Sequence, residues 1–183
     1  MSVAVATFYK FVTVEDCPAL QRSLQALCKA LNLQGTILLA TEGLNATVSG
    51  HQDDVRQLLD WLATDNRFAN LSPKWAIAQA PPFGRMKVKI KREIVTLGQP
   101  DAKPSEQVGT YVSPTDWNHV ITDPDVVVVD ARNDYEVNIG TFKGAVNPQT
   151  ESFKQLPDYL TTHLNPQRHK KVAMFCTGGI RCE

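Results

Sequence analysis

Two short apolar runs in the second half of the chain constrain its fold more than any other feature. Residues 125–130 read DVVVVD and residues 170–175 read KKVAMF. Neither run alternates apolar and polar residues, as is typical of parallel strands that are buried on both faces. Helical patterns precede each run, at SPTDWNHV (113–120) and at ESFKQLPDYLTTHL (151–164), which Pro157 is expected to interrupt. Strands that alternate with helices predict an α/β domain.

The first half of the chain has a different order of elements, β-α-β-β-α-β. Strands are predicted at 3–12, 36–40, 46–49 and 74–80. Leucines from Leu20 to Leu31 recur at helical spacing, with Cys28 on the same face as a small core residue. Ser49 and Gln52 have the spacing of a capping box at the start of a second helix. This order predicts an α+β ferredoxin-like domain.

A basic segment follows this domain. Arg85, Lys87, Lys89 and Lys91 alternate with apolar residues, so a strand would present the four cations on one side. They are candidate RNA-binding residues, with a solvated sheet face as the alternative. Residues 99–109, QPDAKPSEQVG, contain two prolines and read as a linker. The predicted domains are therefore 1–98 and 110–183, on either side of this linker.

Charge and cysteine content narrow the class of protein. The chain has 19 basic and 19 acidic residues, so any contact with nucleic acid requires a local patch. No apolar run approaches the roughly 18 residues of a membrane span, and residues 1–12 do not read as a signal peptide. Four cysteines do not make a disulfide framework. We expect a cytoplasmic protein with reduced thiols and no membrane contact.

The segment CTGGIR, residues 176–181, directly follows the second apolar run. A thiolate is a strong nucleophile, and the glycines of this loop let successive backbone amides point at Cys176. Arg181 adds positive charge to the loop, whose other members are Thr177, Gly178, Gly179 and Ile180. Cysteine phosphatases carry Cys-x5-Arg, whereas four residues separate the two here. The six-residue loop resembles the rhodanese active-site loop, whose size suits sulfur better than phosphate.

Other side chains near this loop have two interpretations each. Asp130 and Arg132 follow the first apolar strand, where sites form in α/β sheets, and either brace the loop or form a structural ion pair. Cys182 either resolves an intermediate on Cys176 as a disulfide or packs in the next turn. A turn with an incidental cysteine is a competing hypothesis for the loop itself. A zinc site is a weaker one, since its ligands, His163, His169, Cys176 and Cys182, lack a Cys-x2-Cys pair; no metal is predicted.

Several long motifs together resemble one family. DVVVVDAR, NDYEVNIGTFKGAVNP and FCTGGIRCE are similar to the rhodanese module of the tRNA uridine hydroxylase family. FYKFV, GTILLATEGLNATVSG and KVKIKREIVTLG are similar to its N-terminal domain and junction. The resemblance implies a ferredoxin-like (acylphosphatase-like) domain followed by an α/β rhodanese-like domain. About 75 residues after the linker are too few for a complete rhodanese module, so we expect it to be incomplete at the C-terminus and the 183-residue chain to have weak or absent activity.

The resemblance also implies a reaction. Members of the family hydroxylate the wobble uridine, uridine 34, of certain tRNAs to 5-hydroxyuridine, with molecular oxygen as co-substrate and with the loop cysteine, here Cys176. No cofactor or obligate protein partner is expected, and the partner is tRNA at its anticodon region. Sulfur transfer through a persulfide on Cys176 is the alternative activity. A non-catalytic RNA-binding module, which acts through the first domain, is the third hypothesis.

Overall fold

The computed structural model describes residues 2–183, and internal contacts divide the chain into two compact units between Val95 and Thr96. The division comes three residues before residue 98, where the sequence predicts the end of the first domain. Residues 96–113, which include the predicted linker, are irregular apart from short turns and contain no helix or strand.

The first unit is built around one five-stranded sheet. Its elements are β1 (Val3–Phe11), α1 (Cys17–Ala30), β2 (Gln34–Ala40), β3 (Gly43–Gly50), α2 (Gln52–Ala63), β4 (Lys74–Ala78) and β5 (Met86–Ile90). The strand order is β4-β1-β3-β2-β5, in which the first four strands are antiparallel and β5 pairs parallel with β2. The predicted ferredoxin-like arrangement is confirmed, with β5 as an added edge strand.

Both helices of this unit pack apolar faces against the sheet. Leu20, Leu24 and Cys28 of α1 are buried, as the leucine spacing predicts. In α2 the buried residues are Val55, Leu58 and Leu62. These side chains join buried sheet residues in a single apolar cluster, whose burial is the main source of stability for a unit of this size.

The predicted cap of the second helix is wrong. Ser49 lies inside β3, opposite Val5 of β1 and Gln34 of β2, and its hydroxyl is buried without a hydrogen-bond partner. The strand pairing continues to Gly50, so the helix begins only at Gln52, after an extended His51. The ladder of three strands outcompetes the local capping preference of serine.

The second unit contains a pair of parallel strands with helices between them. Its elements are α3 (Pro114–Thr122), β6 (Val126–Asp130), α4 (Asp134–Val137), α5 (Leu156–His163) and β7 (Lys171–Phe175). β6 and β7 pair in register, and Val146 adds an isolated parallel bridge to Val129. The valine run therefore forms the parallel strand that its pattern predicts.

The starts of α3 and α5 show where prolines stand in the helices of this unit, and one sequence prediction about them is wrong. Ser113 accepts a hydrogen bond from the Asp116 N–H and caps α3, whose first residue is Pro114. Pro157 was expected to interrupt a longer helix, and it stands instead in the first turn of α5. A proline is tolerated there because that turn leaves its N–H groups without helical partners. None of the helices in residues 2–183 has the length and apolar content to span a bilayer.

Candidate active site

The carboxyl ends of β6 and β7 lie side by side and carry the site. Asp130 pairs with Phe175 at the last position of the strand register, and Ala131 N–H donates to the Phe175 carbonyl at 3.0 Å. Cys176 is the next residue after β7. The first polar residues beyond both strands are thus brought together, as expected for a parallel sheet.

A backbone amide of the loop donates a hydrogen bond to the sulfur of Cys176. The Gly179 N–H donates to Cys176 Sγ at 3.0 Å, and the loop then enters a short 3-10 turn, Ile180–Cys182. Gly179 has φ +97°, in the left-handed region that favours glycine. This conformation turns its N–H back toward the sulfur and makes the loop an anion nest.

The loop lowers the pKa of Cys176. The largest cause is a hydrogen bond from the Cys182 thiol, which lowers the pKa. Burial has the next largest effect and raises the pKa, and the backbone amides of Arg181 and Gly179 lower it further. The pKa of Cys182 is raised correspondingly, because its proton is held by the neighbouring sulfur. Both cysteines are free thiols, and both pack against the small apolar cluster below the loop. The two opposite shifts favour the thiolate on Cys176 and the protonated thiol on Cys182.

Glu136 binds two side chains of the loop, those of Thr177 and Arg181. Arg181 donates to both of its carboxylate oxygens, Nη1 to Oε2 at 2.7 Å and Nη2 to Oε1 at 2.8 Å, and the Thr177 hydroxyl donates to Oε1 at 2.8 Å. These bonds depress the pKa of Glu136 to about 2, with the Arg181 guanidinium as the largest cause. The Arg181 side chain is only 15% exposed. The carboxylate fixes the guanidinium, so the amides and the neighbouring thiol contribute most to the stabilisation of the thiolate.

Sequence reasoning missed Glu136. Its partner Arg181 lies 45 residues away, and no local pattern links the two. The only signal is the spacing of Asn133 and Glu136 at the start of α4, which matches a capping box; the Asn133 N–H donates to Glu136 Oε2 at 3.2 Å.

Asp130 and Arg132 form a compact buried ion pair. Arg132 Nε donates to Asp130 Oδ1 at 2.8 Å, Nη2 donates to Oδ2 at 2.6 Å, and the Thr141 hydroxyl also donates to Oδ2. Asp130 has no exposed surface, and the guanidinium lies 5.5 Å from the centre of the Phe175 ring. In residues 2–183 no hydrogen bond joins this pair to Cys176. Its contacts fix the ends of β6 and β7, and through them the start of the loop.

The candidate zinc ligands are not gathered. His163 Nδ1 is hydrogen-bonded to the Tyr159 carbonyl within α5, and His169 accepts from the Asn165 N–H. Within residues 2–183, no three side chains of the metal-binding types lie close enough together to hold an ion. The zinc alternative therefore has no support.

The candidate RNA-binding residues lie in the first unit, at the edge of its sheet. Lys87 and Lys89 are inside β5, and Arg85 and Lys91 flank it. The ladder to β2 extends over both neighbours, through bonds from Gly35 N–H to the Arg85 carbonyl and from Lys91 N–H to the Leu39 carbonyl.

The family follows from a match to the first unit. A family model described as the UPF0176 acylphosphatase-like domain matches residues 3–94, half of the 183-residue chain. The chain belongs to this family. A solved structure of an acylphosphatase from Coxiella burnetii is 17% identical and covers 48% of this chain and 93% of its own, with a TM-score of 0.37; that likeness carries no further argument.

Three curated relatives match the chain at 53–54% identity. A protein of Acaryochloris marina is 54% identical over 96% of this chain, and proteins of Picosynechococcus sp. and Synechocystis sp. are 53% identical over 98% and 100%. All three are named tRNA uridine(34) hydroxylase, which confirms the resemblance inferred from the motifs. The chain spans 57%, 60% and 66% of the lengths of these relatives.

Proposed function

We propose that this chain is part of a tRNA-modifying oxidoreductase that hydroxylates the wobble uridine of tRNA to 5-hydroxyuridine, with molecular oxygen as oxidant and Cys176 as the essential thiol. The observation that carries the proposal is the environment of Cys176, whose sulfur accepts the Gly179 N–H and has a lowered pKa. The names of the relatives supply the substrate class. The proposed substrate region is the anticodon, and the proposed compartment is the cytoplasm, where tRNA is found and thiols stay reduced.

The second unit is proposed to be a rhodanese-type module. Parallel strands β6 and β7 support this assignment, as does the six-residue loop that separates Cys176 from Arg181 by four positions. The loop cradles one sulfur atom with backbone amides, and the Arg181 guanidinium is engaged with Glu136. A module of this kind presents a stabilised thiolate to a substrate.

A covalent first step accounts for the use of a thiolate. Cys176 Sγ adds to carbon 6 of uracil, the carbon 5–carbon 6 double bond breaks, and its electron pair moves to carbon 5 and oxygen 4 as an enolate. Carbon 5 thereby becomes electron-rich, which is the state that attack on oxygen requires. Carbon 5 bonds to one atom of the oxygen molecule, which gives a hydroperoxide once the outer oxygen is protonated. An external two-electron donor then breaks the O–O bond, which leaves a hydroxyl on carbon 5 and releases the other oxygen atom as water. Loss of the carbon 5 proton and of the thiolate from carbon 6 restores the double bond of the ring.

Mass spectrometry of tRNA nucleosides tests the proposal. A strain that lacks the full-length gene should lose 5-hydroxyuridine, and the full-length gene should restore it. The Cys176→Ala gene should not, whereas Cys28→Ala, which removes a buried core thiol, should restore it as a matched control. A covalent protein–RNA adduct that forms with Cys176 and is absent from Cys176→Ala would support the addition step.

Two outcomes would overturn it. Normal 5-hydroxyuridine in the strain carrying Cys176→Ala would show that the thiol is dispensable. Unchanged 5-hydroxyuridine in the deletion strain, together with strong cyanide-dependent formation of thiocyanate by the full-length protein, would favour sulfur transfer, which the names of the relatives do not favour.

A further inference from the structure

A cleft of about 760 Å³ opens in the first unit between α1 and β5. One wall is the C-terminal half of α1 and the turn after it, and the other is β5 with Arg85. The Gln21 side chain, on α1, donates to the Val88 carbonyl at 2.8 Å and ties the two walls together.

All the charged residues that line the cleft are positive. Four cations line it, Lys29 from α1 and Arg85, Lys87 and Lys89 from the strand side, with no acidic residue. In residues 2–183 none of the four takes part in a salt bridge. Because the chain as a whole is neutral, such a concentration of unpaired positive charge produces a local field that attracts anions.

The spacing of the cations fits a polymer of regularly spaced negative charges. Alternate strand residues lie on one face, so Arg85, Lys87 and Lys89 follow one another at about 7 Å, on the face of β5 opposite Met86 and Val88, which pack toward α1. This interval is comparable with the separation of successive phosphates along a nucleic-acid strand. Amides of Gln25, Asn32 and Gln34 also line the cleft and can hydrogen-bond to ribose hydroxyls.

We propose that the open cleft at the edge of β5 beside α1 binds the sugar-phosphate backbone of the tRNA substrate, with Arg85, Lys87 and Lys89 along the strand and Lys29 at the end of the helix. The inference rests on the proposed function, which makes tRNA the substrate, and adds where the first unit holds it. The contact is to phosphate and sugar, so it gives affinity and orientation without reading sequence. Lys91 lies beyond the cleft lining and contributes less than the other three strand-side cations.

Equilibrium binding of a tRNA transcript to this chain tests the proposal. The variant Lys29→Gln/Lys87→Gln/Lys89→Gln should bind about tenfold more weakly at about 100 mM salt, and the slope of log K against log salt should fall by about 2. The matched control Arg22→Gln/Arg168→Gln/Lys170→Gln removes the same charge from exposed positions outside the cleft and should bind like the parent.

A methyl resonance locates the contact independently of the variants. Met86 lines the cleft, whereas Met174 lies in β7 of the other unit. With methyl-labelled methionine, tRNA should shift the Met86 signal, assigned through Met86→Leu, at concentrations that match the binding curve. A polyglutamate peptide at equal charge should not compete.

Several outcomes would overturn the inference. These are equal loss of affinity in the two triple variants, an unmoved Met86 signal at saturating tRNA, and competition by polyglutamate as strong as by tRNA. Binding does not require catalysis, so the inference and the proposed function fail separately. If Cys176→Ala abolishes 5-hydroxyuridine while the cleft variant binds normally, only the inference fails; if the cleft binds tRNA while the deletion strain keeps its 5-hydroxyuridine, only the proposed function fails.

Discussion

At the scale of residues, the hydrogen bond between Cys182 and Cys176 favours the thiolate form of Cys176. Cys182 donates its thiol hydrogen to the Cys176 sulfur, which lowers the pKa of Cys176 and raises its own. The Cys182→Ala variant loses this donor and keeps the backbone amides. We expect the pKa of Cys176 to rise, so that the rate of alkylation by iodoacetamide reaches its plateau at a higher pH than in the parent.

The pH profile of alkylation, followed by peptide mass spectrometry, measures this shift. Cys17 and Cys28 serve as internal references, because both are buried and burial raises the pKa of each, to about 11 for Cys28. An unchanged Cys176 profile in Cys182→Ala would mean that the amides alone hold the thiolate.

Glu136 links stability of the second unit to acid pH. Its pKa is about 2 in the folded chain against an ordinary value of 4.5. A depressed carboxyl pKa gives stability that is fully present above about pH 4.5 and is lost as the pH falls toward 2. We expect Glu136→Gln to lower the free energy of unfolding at pH 7 by about 2–3 kcal/mol and to flatten its dependence on pH below 4.5.

Trp117 provides the measurement for this second unit, whose aromatic cluster it joins with Phe142 and Phe175. In a background with Trp61→Phe and Trp75→Phe, urea unfolding monitored by fluorescence reports on Trp117 alone. Glu151→Gln, at an exposed position, is the control and should retain the parent's stability. Equal stability of the two variants at pH 7 would contradict the assigned role of Glu136.

At the scale of elements, the turn after β7 contains two adjacent glycines, and the effects of replacing each of them by alanine can be compared. Gly179 has φ +97°, whereas a Cβ at Gly178 meets nothing within 4 Å and its φ lies outside the left-handed region. Gly179→Ala should cost about 1–2 kcal/mol and raise the pKa of Cys176, because the N–H that faces the sulfur moves. Gly178→Ala should change stability by less than about 0.5 kcal/mol. Urea unfolding and the alkylation profile measure both effects; equal behaviour of the two variants would refute the nest.

The same elements show what the sequence can predict. The order β-α-β-β-α-β and the parallel valine strand follow from periodicity, because each depends on residues close together in the chain. The Ser49 cap and the Pro157 interruption were wrong, because strand pairing to Gly50 and the start of α5 at Leu156 are decided by tertiary context. Glu136 could not be assigned to Arg181, since the bond that joins them spans 45 residues.

At the scale of the whole molecule, the cleft likewise depends on residues that are far apart in the sequence. Lys29 and Lys87 are 58 positions apart, and only the packing of α1 on β5 brings them to one cavity. The alternating cations of β5 are readable in the sequence, but their partner on the helix is not. The fold thus gathers positive residues at one place, although the net charge of the whole chain is zero.

The two units differ in the size of their apolar cores. In the described residues, the first unit buries a cluster that includes Phe8, Leu24 and Phe68, whereas the corresponding cluster of the second has Val129, Ala131 and Leu156 as its fully buried members. Stability scales with buried apolar area, and a small core leaves a unit prone to local opening. We expect limited proteolysis of the chain to cut first within residues 96–183.

The product should be a resistant fragment that ends near Val95, where the two units divide. Mass spectrometry of the digest identifies it, and the same fragment expressed alone should keep a cooperative thermal transition, because its buried apolar residues, the last of which is Ile94, all lie before Val95. A digest in which residues 96–183 outlast the first unit would contradict this ranking of the cores. Since opening of the second unit also exposes the loop, any ligand that contacts Cys176 should slow the cleavage, and this protection should be absent from Cys176→Ala.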